Sequence, residues 1–301
     1  MRIKMLFLHS LRIMSVLLAS TLLAGCWSPW PSSKGVDISD TSPETSVASN
    51  PSPGQETIIF EEPAVSQPEE IHHPAQTVIH DPKKIPRVAI IIDDMGYHPA
   101  IGRGLLNLDL ELSFAFLPHA PFSGQLNDLA VQKGRDILVH IPMEAQASKW
   151  DPGPGALYLK TPPEKQLKIL QEDLAAIPNA IGTNNHMGSK FTANRPAMHR
   201  VLAEIKKQGL FFIDSYTTGK TKGLDEAKKM GMKTNRRDIF LDNDQNRKKI
   251  CRQLGKLISK AQKNGQAIAI GHPYRATLDA LRSCGDKLQS VEIVPVHLLV
   301  K

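Results

Sequence analysis

In this 301-residue chain, carboxylates, amides and imidazoles recur where short apolar runs end. The run Val-Ala-Ile-Ile-Ile at 88–92 ends in Asp93 and Asp94, and His119 follows the run at 112–116. His140 sits in the run at 136–141, and Asn184, Asn185 and His186 close the one at 180–184. Asp214 ends the fifth run, Asp242 follows the sixth and His272 follows the seventh. Two adjacent carboxylates repel, so one of them needs a metal ion or a basic partner to stay ionised. One carboxylate and two imidazoles make an open three-residue site for a divalent ion, and a second carboxylate with a further imidazole can move protons. Each residue also has an ordinary reading as a turn former, a helix cap or a hydrogen-bonded histidine. Seven run ends carrying Asp, Asn or His are hard to assign to turns and caps alone.

The elements that must position these groups read as repeated βα units. The residues at 88–93 are apolar and mostly β-branched without alternation, as in a strand buried on both faces. Further strands are expected at 112–116, 136–141, 180–184, 210–214, 238–241, 266–271 and 291–296. Amphipathic stretches at 101–108, 123–133, 163–176, 195–208, 224–229, 246–264 and 276–284 alternate with them. Thr161-Pro-Pro-Glu164 reads as a capping box, and Asn194 precedes a helix with Pro196 near its start. Seven or eight such units predict an α/β fold, an irregular (β/α)7-type barrel, in which the strand ends share one face. Side chains alternate along a strand, so Asp93 and Asp94 should point to opposite sides if the strand runs through both.

The chain before the barrel has another character. Arg2, Lys4 and Arg12 precede an apolar run at 13–24 that is too short to span a bilayer, the pattern of an export signal. It ends Leu23-Ala24-Gly25-Cys26, which resembles a bacterial lipobox with Cys26 as the lipidated residue; an ordinary cleaved signal is the alternative. Trp27 after the cysteine fits sorting to the outer membrane, so the expected location is periplasmic, held to the membrane by a lipid anchor only. Residues 27–86 are rich in Pro, Ser, Thr and Glu and read as a disordered tether.

Of the 37 basic and 30 acidic residues, the signal holds three basic ones and the tether three basic and nine acidic. That leaves 31 and 21 in 87–301, a net of +10, which suits an anionic envelope partner or merely solvated helix faces. Export excludes nucleic acid as a partner. Cys251 and Cys284, the cysteines of the barrel region, either pair or stay as buried thiols.

The motifs Ile-Asp-Asp-Met-Gly (92–96), Val-His-Ile-Pro-Met-Glu (139–144), Asn-Asn-His-Met-Gly-Ser (184–189), Phe-Ile-Asp-Ser (212–215) and Ile-Gly-His-Pro (270–273) resemble those of the divergent polysaccharide deacetylases. This family is a distant branch of the metal-dependent carbohydrate esterases. The resemblance implies a deacetylase barrel over 87–301, with Asp93 as base, Asp94 as metal ligand and His272 as general acid. The His-x-x-x-His of ordinary deacetylases is absent; His140 and His186 stand singly on neighbouring strands and complete the expected ligand set. Asp214 is expected either to orient an imidazole or to bind the metal, zinc being the first expectation. The implied partner is a cell-envelope glycan, peptidoglycan or a related N-acetylated polysaccharide. Two other readings stay open: a catalytically weak glycan- or protein-binding module on the same barrel, and a metal hydrolase for another amide or ester.

Overall fold

The computed structural model describes residues 85–301; the expected signal, Cys26 and the tether to residue 84 lie outside them. Strands β1 (Arg87–Met95), β2 (Leu112–Phe116), β3 (Ile137–Met143), β4 (Gly182–Met187), β5 (Phe211–Asp214), β6 (Thr234–Arg236), β7 (Ile239–Phe240), β8 (Gln266–Gly271) and β9 (Glu292–Ile293) form one sheet. The helices are α1 (Pro99–Leu106), α2 (Ser123–Gln132), α3 (Pro163–Ala176), α4 (Arg195–Lys207), α5 (Gly223–Lys229), α6 (Arg247–Asn264) and α7 (Arg275–Cys284). Every strand pairing is parallel, and the order β6-β5-β4-β3-β2-β1-β8-β7 is that of a curled α/β half-barrel, open between β6 and β7. Among the described residues no helix is long and apolar enough to cross a membrane.

The expected elements appear within a few residues of their expected bounds, with two departures. Thr161-Pro-Pro-Glu164 does not cap α3: the N-cap is Pro162, which has no side-chain acceptor, and Gln166 instead donates to the carbonyls of Tyr158 and Thr161. Strand β6, Thr-Asn-Arg, was not expected, since three residues carry no readable period. Asn194 does cap α4, accepting from the Ala197 amide at 3.0 Å.

The strands have two different faces. Outward residues such as Val88, Ile90, Ile92, Phe114 and Val139 pack beneath the helices in the larger apolar cluster. Inward residues Ala89, Ile91, Ala115, Leu138, Phe211, Ile213, Ile268 and Ile270 form a second cluster with Val294, Val296 and Leu299 of the C-terminal segment. That segment seals the lower end. The Val296 amide donates to Ser113 Oγ, the His297 amide to Asp136, and both Asn235 of β6 and Gln266 of β8 donate to the Leu299 carbonyl across the sheet opening. Cys251 of α6 and Cys284 of α7 form a disulfide, which decides between the two expectations for these cysteines.

Candidate metal centre

Two residues above the inward apolar layer the same strand positions become polar: Asp93 after Ile91, His140 after Leu138, and His272 after Ile270. Asp94, His140 and His186 each bring a donor atom within 4.8 Å of the others, and all three are buried. Asp94 Oδ1 lies 3.0 Å from His140 Nε2 and 2.9 Å from His186 Nδ1. Neither Asp94 oxygen nor His186 Nδ1 makes a hydrogen bond, so short contacts converge without donor–acceptor alignment. Ligands of a tetrahedral zinc ion, each about 2.0–2.1 Å from it, stand roughly 3.3 Å apart, close to these separations. The donor set and its unsatisfied buried atoms therefore fit a divalent ion.

The route by which both aspartates reach the cluster differs from the expected alternation. Between β1 and β2 the register steps from Ile92↔Phe114 to Met95↔Phe116, three residues on one strand against two on the other, which is a bulge. Asp94 sits at φ +53°, a left-handed conformation uncommon for Asp, and this turns its carboxylate to the same side as that of Asp93. Asp93 Oδ2 stands 3.7 Å from His140 Nε2, so the expectation that the two carboxylates point apart is corrected. Met187, next to His186, is also at positive φ, and Gly188 follows at φ +87° where a Cβ would come 2.8 Å from that of Met143.

Asn184 joins the two sides of the site. It accepts from His140 Nδ1 at 2.7 Å and donates from Nδ2 to Asp93 Oδ1 at 2.8 Å. The Nδ1 proton of His140 is thereby committed to Asn184 and Nε2 is left as the donor atom facing Asp94. On the opposite wall Asp242 accepts from His272 Nδ1 at 2.8 Å, from the His272 amide and from Thr277 Oγ1. This holds His272 Nε2 3.9 Å from Asp94 Oδ2. The strand-end pattern marked Asn184 and Asp242, but their partners could not be read from it. Thr277 had no signal.

The electrostatics separate the two aspartates. Burial pushes Asp93 up to about 6, with His140 and His272 opposing that rise. Burial acts on Asp94 in the same direction, but there His186 and His140 outweigh it and hold the carboxyl well below the ordinary range. Asp93 is thus the aspartate suited to exchange a proton, and Asp94 the one that stays anionic.

Asp214 is not brought to this cluster. Its oxygens accept from the Tyr216 amide, Thr221 Oγ1 and the Leu224 amide, so it organises the β5–α5 loop. These contacts place it neither on an imidazole nor among the converging donors. His119 also turns away, to Asp173 Oδ1 of α3 at 2.8 Å.

Residues 90–300 match the family model described as divergent polysaccharide deacetylase. The chain belongs to that family. Among similar proteins of this kind, the uncharacterized protein YibQ of Escherichia coli is 36% identical over 196 residues, 65% of this chain and 61% of that one. The chain thus spans less than two thirds of that relative's length. A protein of Haemophilus influenzae is 36% identical over 198 residues, 65% of this chain and 70% of its own. The crystal structure of an Agrobacterium tumefaciens protein superimposes with a TM-score of 0.68 at 27% identity, covering 73% of this chain and 92% of that one. The family match takes in every strand-end residue that builds the site.

Proposed function

We propose that the protein is a metal-dependent hydrolase that removes acetyl groups from an N-acetylated polysaccharide of the cell envelope. The observation that carries this reading is the convergence of Asp94, His140 and His186, with Asp93 and His272 beside them. In it, Asp94, His140 Nε2 and His186 Nδ1 hold a divalent ion, zinc being the first choice, which when bound polarises an acetyl carbonyl and acidifies a water. Asp93, anchored by Asn184, takes the proton from the attacking water as its oxygen bonds to the acetyl carbon. His272, oriented by Asp242, gives a proton to the sugar nitrogen as the C–N bond breaks, leaving acetate and a free amine. The Cys251–Cys284 disulfide suits an oxidising compartment and so supports export, with Cys26 as the membrane anchor.

A second reading, a glycan-binding module that does not turn over, is favoured by one observation. Asp93, Asp94, His140 and His272 are 0% exposed and His186 only 4%, so the side chains packed over them must move before a substrate reaches them. Acetate release from purified peptidoglycan strands, measured with the metal-loaded full chain, separates the two. The hydrolase reading expects acetate from the wild type and none from Asp93→Asn; bound metal with no acetate from any N-acetylated glycan favours the binding module.

A further inference from the structure

The charge of the barrel region is carried unevenly. Of the net +10 in 87–301, helix α6 alone supplies +7: Arg247, Lys248, Lys249, Arg252, Lys256, Lys260 and Lys263 stand in it without one acidic residue. The rest of 87–301 holds 24 basic and 21 acidic residues, a net of +3. Helices α3, α4, α5 and α7 each mix the two signs.

The helix also sorts its charges to one side. Ile250, Cys251, Leu254, Leu257 and Ala261 are buried, on the side that meets β1, β7, β8 and α7. Lys248, Lys249, Arg252, Lys256 and Lys263 are exposed and Lys260 is half-buried. At about 100° per residue these six cations fall within a sector of about 120° centred opposite the buried side, along about 22 Å of helix. Lys249 pairs with Asp244, and Lys260 acts on the carboxylate of Asp238. Lys248, Arg252, Lys256 and Lys263 make no ion pair among the described residues.

This arrangement works against the helix itself. Lys248, Arg252, Lys256 and Lys260 recur every four residues, so each repels the next. Arg247, Lys248 and Lys249 occupy the first turn, where the helix dipole disfavours cations. An extended array of negative charge laid along this face would relieve both. The helix has no aromatic residue to stack on a sugar or a base, and Ser259 and Gln262 are the exposed polar residues among the cations. The large exposed apolar side chains of the described residues, Ile85, Phe122, Val131, Ile181 and Leu298, lie elsewhere, so nothing on α6 is suited to enter a bilayer. Flexible cations without fixed acceptors match headgroups that rearrange to meet them, and the exported location proposed above puts a membrane within reach.

We propose that the outer face of α6 docks the barrel on anionic phospholipid, by charge alone and without insertion. The face is separate from the metal centre and does not depend on turnover.

The full chain is mixed with two vesicle populations of different density, one of phosphatidylcholine and one containing about a third phosphatidylglycerol, and its distribution between them is read after flotation. Any contribution of the N-terminal segment to both populations cancels from the ratio. A cation near an anionic surface is worth about fivefold, so the wild type should favour the anionic vesicles by about a hundredfold or more at low salt and lose most of that preference at high salt. Arg252→Gln with Lys256→Gln should lower the preference about 25-fold. Lys165→Gln with Lys168→Gln on α3, the same change in net charge, should lower it less than about threefold. Equal partition of the wild type, a preference that survives high salt, or equal losses from the two double variants would overturn the proposal. So would a soluble anionic polysaccharide that displaces the chain from the anionic vesicles at equal charge concentration, since it would assign the face to a glycan. Zinc uptake and acetate release by the same variants should be unchanged, so failure of the docking face and failure of the hydrolase reading are told apart.

Discussion

The lower and upper halves of the barrel interior are lined by the same strands, yet they do opposite things to stability. Ile91 and Asp93, Leu138 and His140, and Ile270 and His272 each lie two positions apart, about 7 Å along a strand. Below, Ile, Leu, Phe and Val close on the C-terminal plug, and burial of apolar surface stabilises the fold. Above, carboxylates and imidazoles are buried just as deeply, where losing water penalises any charge that is not paired. The site is therefore held together by the layer beneath it, and its own residues sit there at a cost in stability that an ion with three ligands would offset.

The largest effect expected from this contrast is in the lower layer. Ile91→Ala should lose about 2–5 kcal/mol of unfolding free energy, because a fully buried side chain leaves a cavity, while the folded fraction still takes up metal. Urea unfolding followed by a metal titration checks both; a loss below about 1 kcal/mol would mean that the lower layer is not a continuous core.

The upper layer should respond in the other direction. Asp93, with its carboxyl pushed from 3.8 to about 6, binds its proton more tightly folded than unfolded. Its stabilising contribution is complete below pH 3.8 and is lost as pH rises towards 6. Asp93→Asn should then make the metal-free protein more stable at pH 7.5 by on the order of 1–3 kcal/mol, with little difference at pH 3.5. Thermal unfolding at the two pH values reads this, and an Asn variant less stable at pH 7.5 would show that the charge is compensated. A divalent ion beside Asp93 would favour its charged form, so in the metal-loaded protein this carboxyl should titrate lower than in the metal-free one, and any acid limb of acetate release should lie below pH 6.

A smaller effect is expected at Asn184, which belongs to the upper layer but touches no ion. Asn184→Ala should weaken zinc binding about 10–100-fold by releasing His140 from its orientation. An unchanged zinc affinity would reduce Asn184 to an anchor for Asp93 alone.

Much of this arrangement was legible in the sequence, because parallel strands buried on both faces leave long apolar runs whose polar ends stand out. Asp93, Asp94, His140, His186 and His272 were found that way, and the structure brings them together. What sequence could not give is local geometry. The bulge at Asp94 depends on pairing with β2, so strict alternation put the two carboxylates on opposite sides. Asp214 had the right type and position, but the donors it serves, Thr221 and the amides of Tyr216 and Leu224, form a loop whose path no periodicity records. Thr161 and Glu164 had capping-box spacing, yet α3 begins at the prolines between them.

In the proposed reading Asp94, His140 and His186 hold one divalent ion on a stable barrel. Zinc titration of the chelator-treated full chain by calorimetry tests it most directly, with Asp94→Ala and His186→Ala run in parallel and their folding checked by circular dichroism. One ion should bind per wild-type chain and none at the same site in either folded variant. A wild-type protein that takes up no divalent ion, or an Asp94→Ala protein that binds zinc as tightly as the wild type, would contradict it.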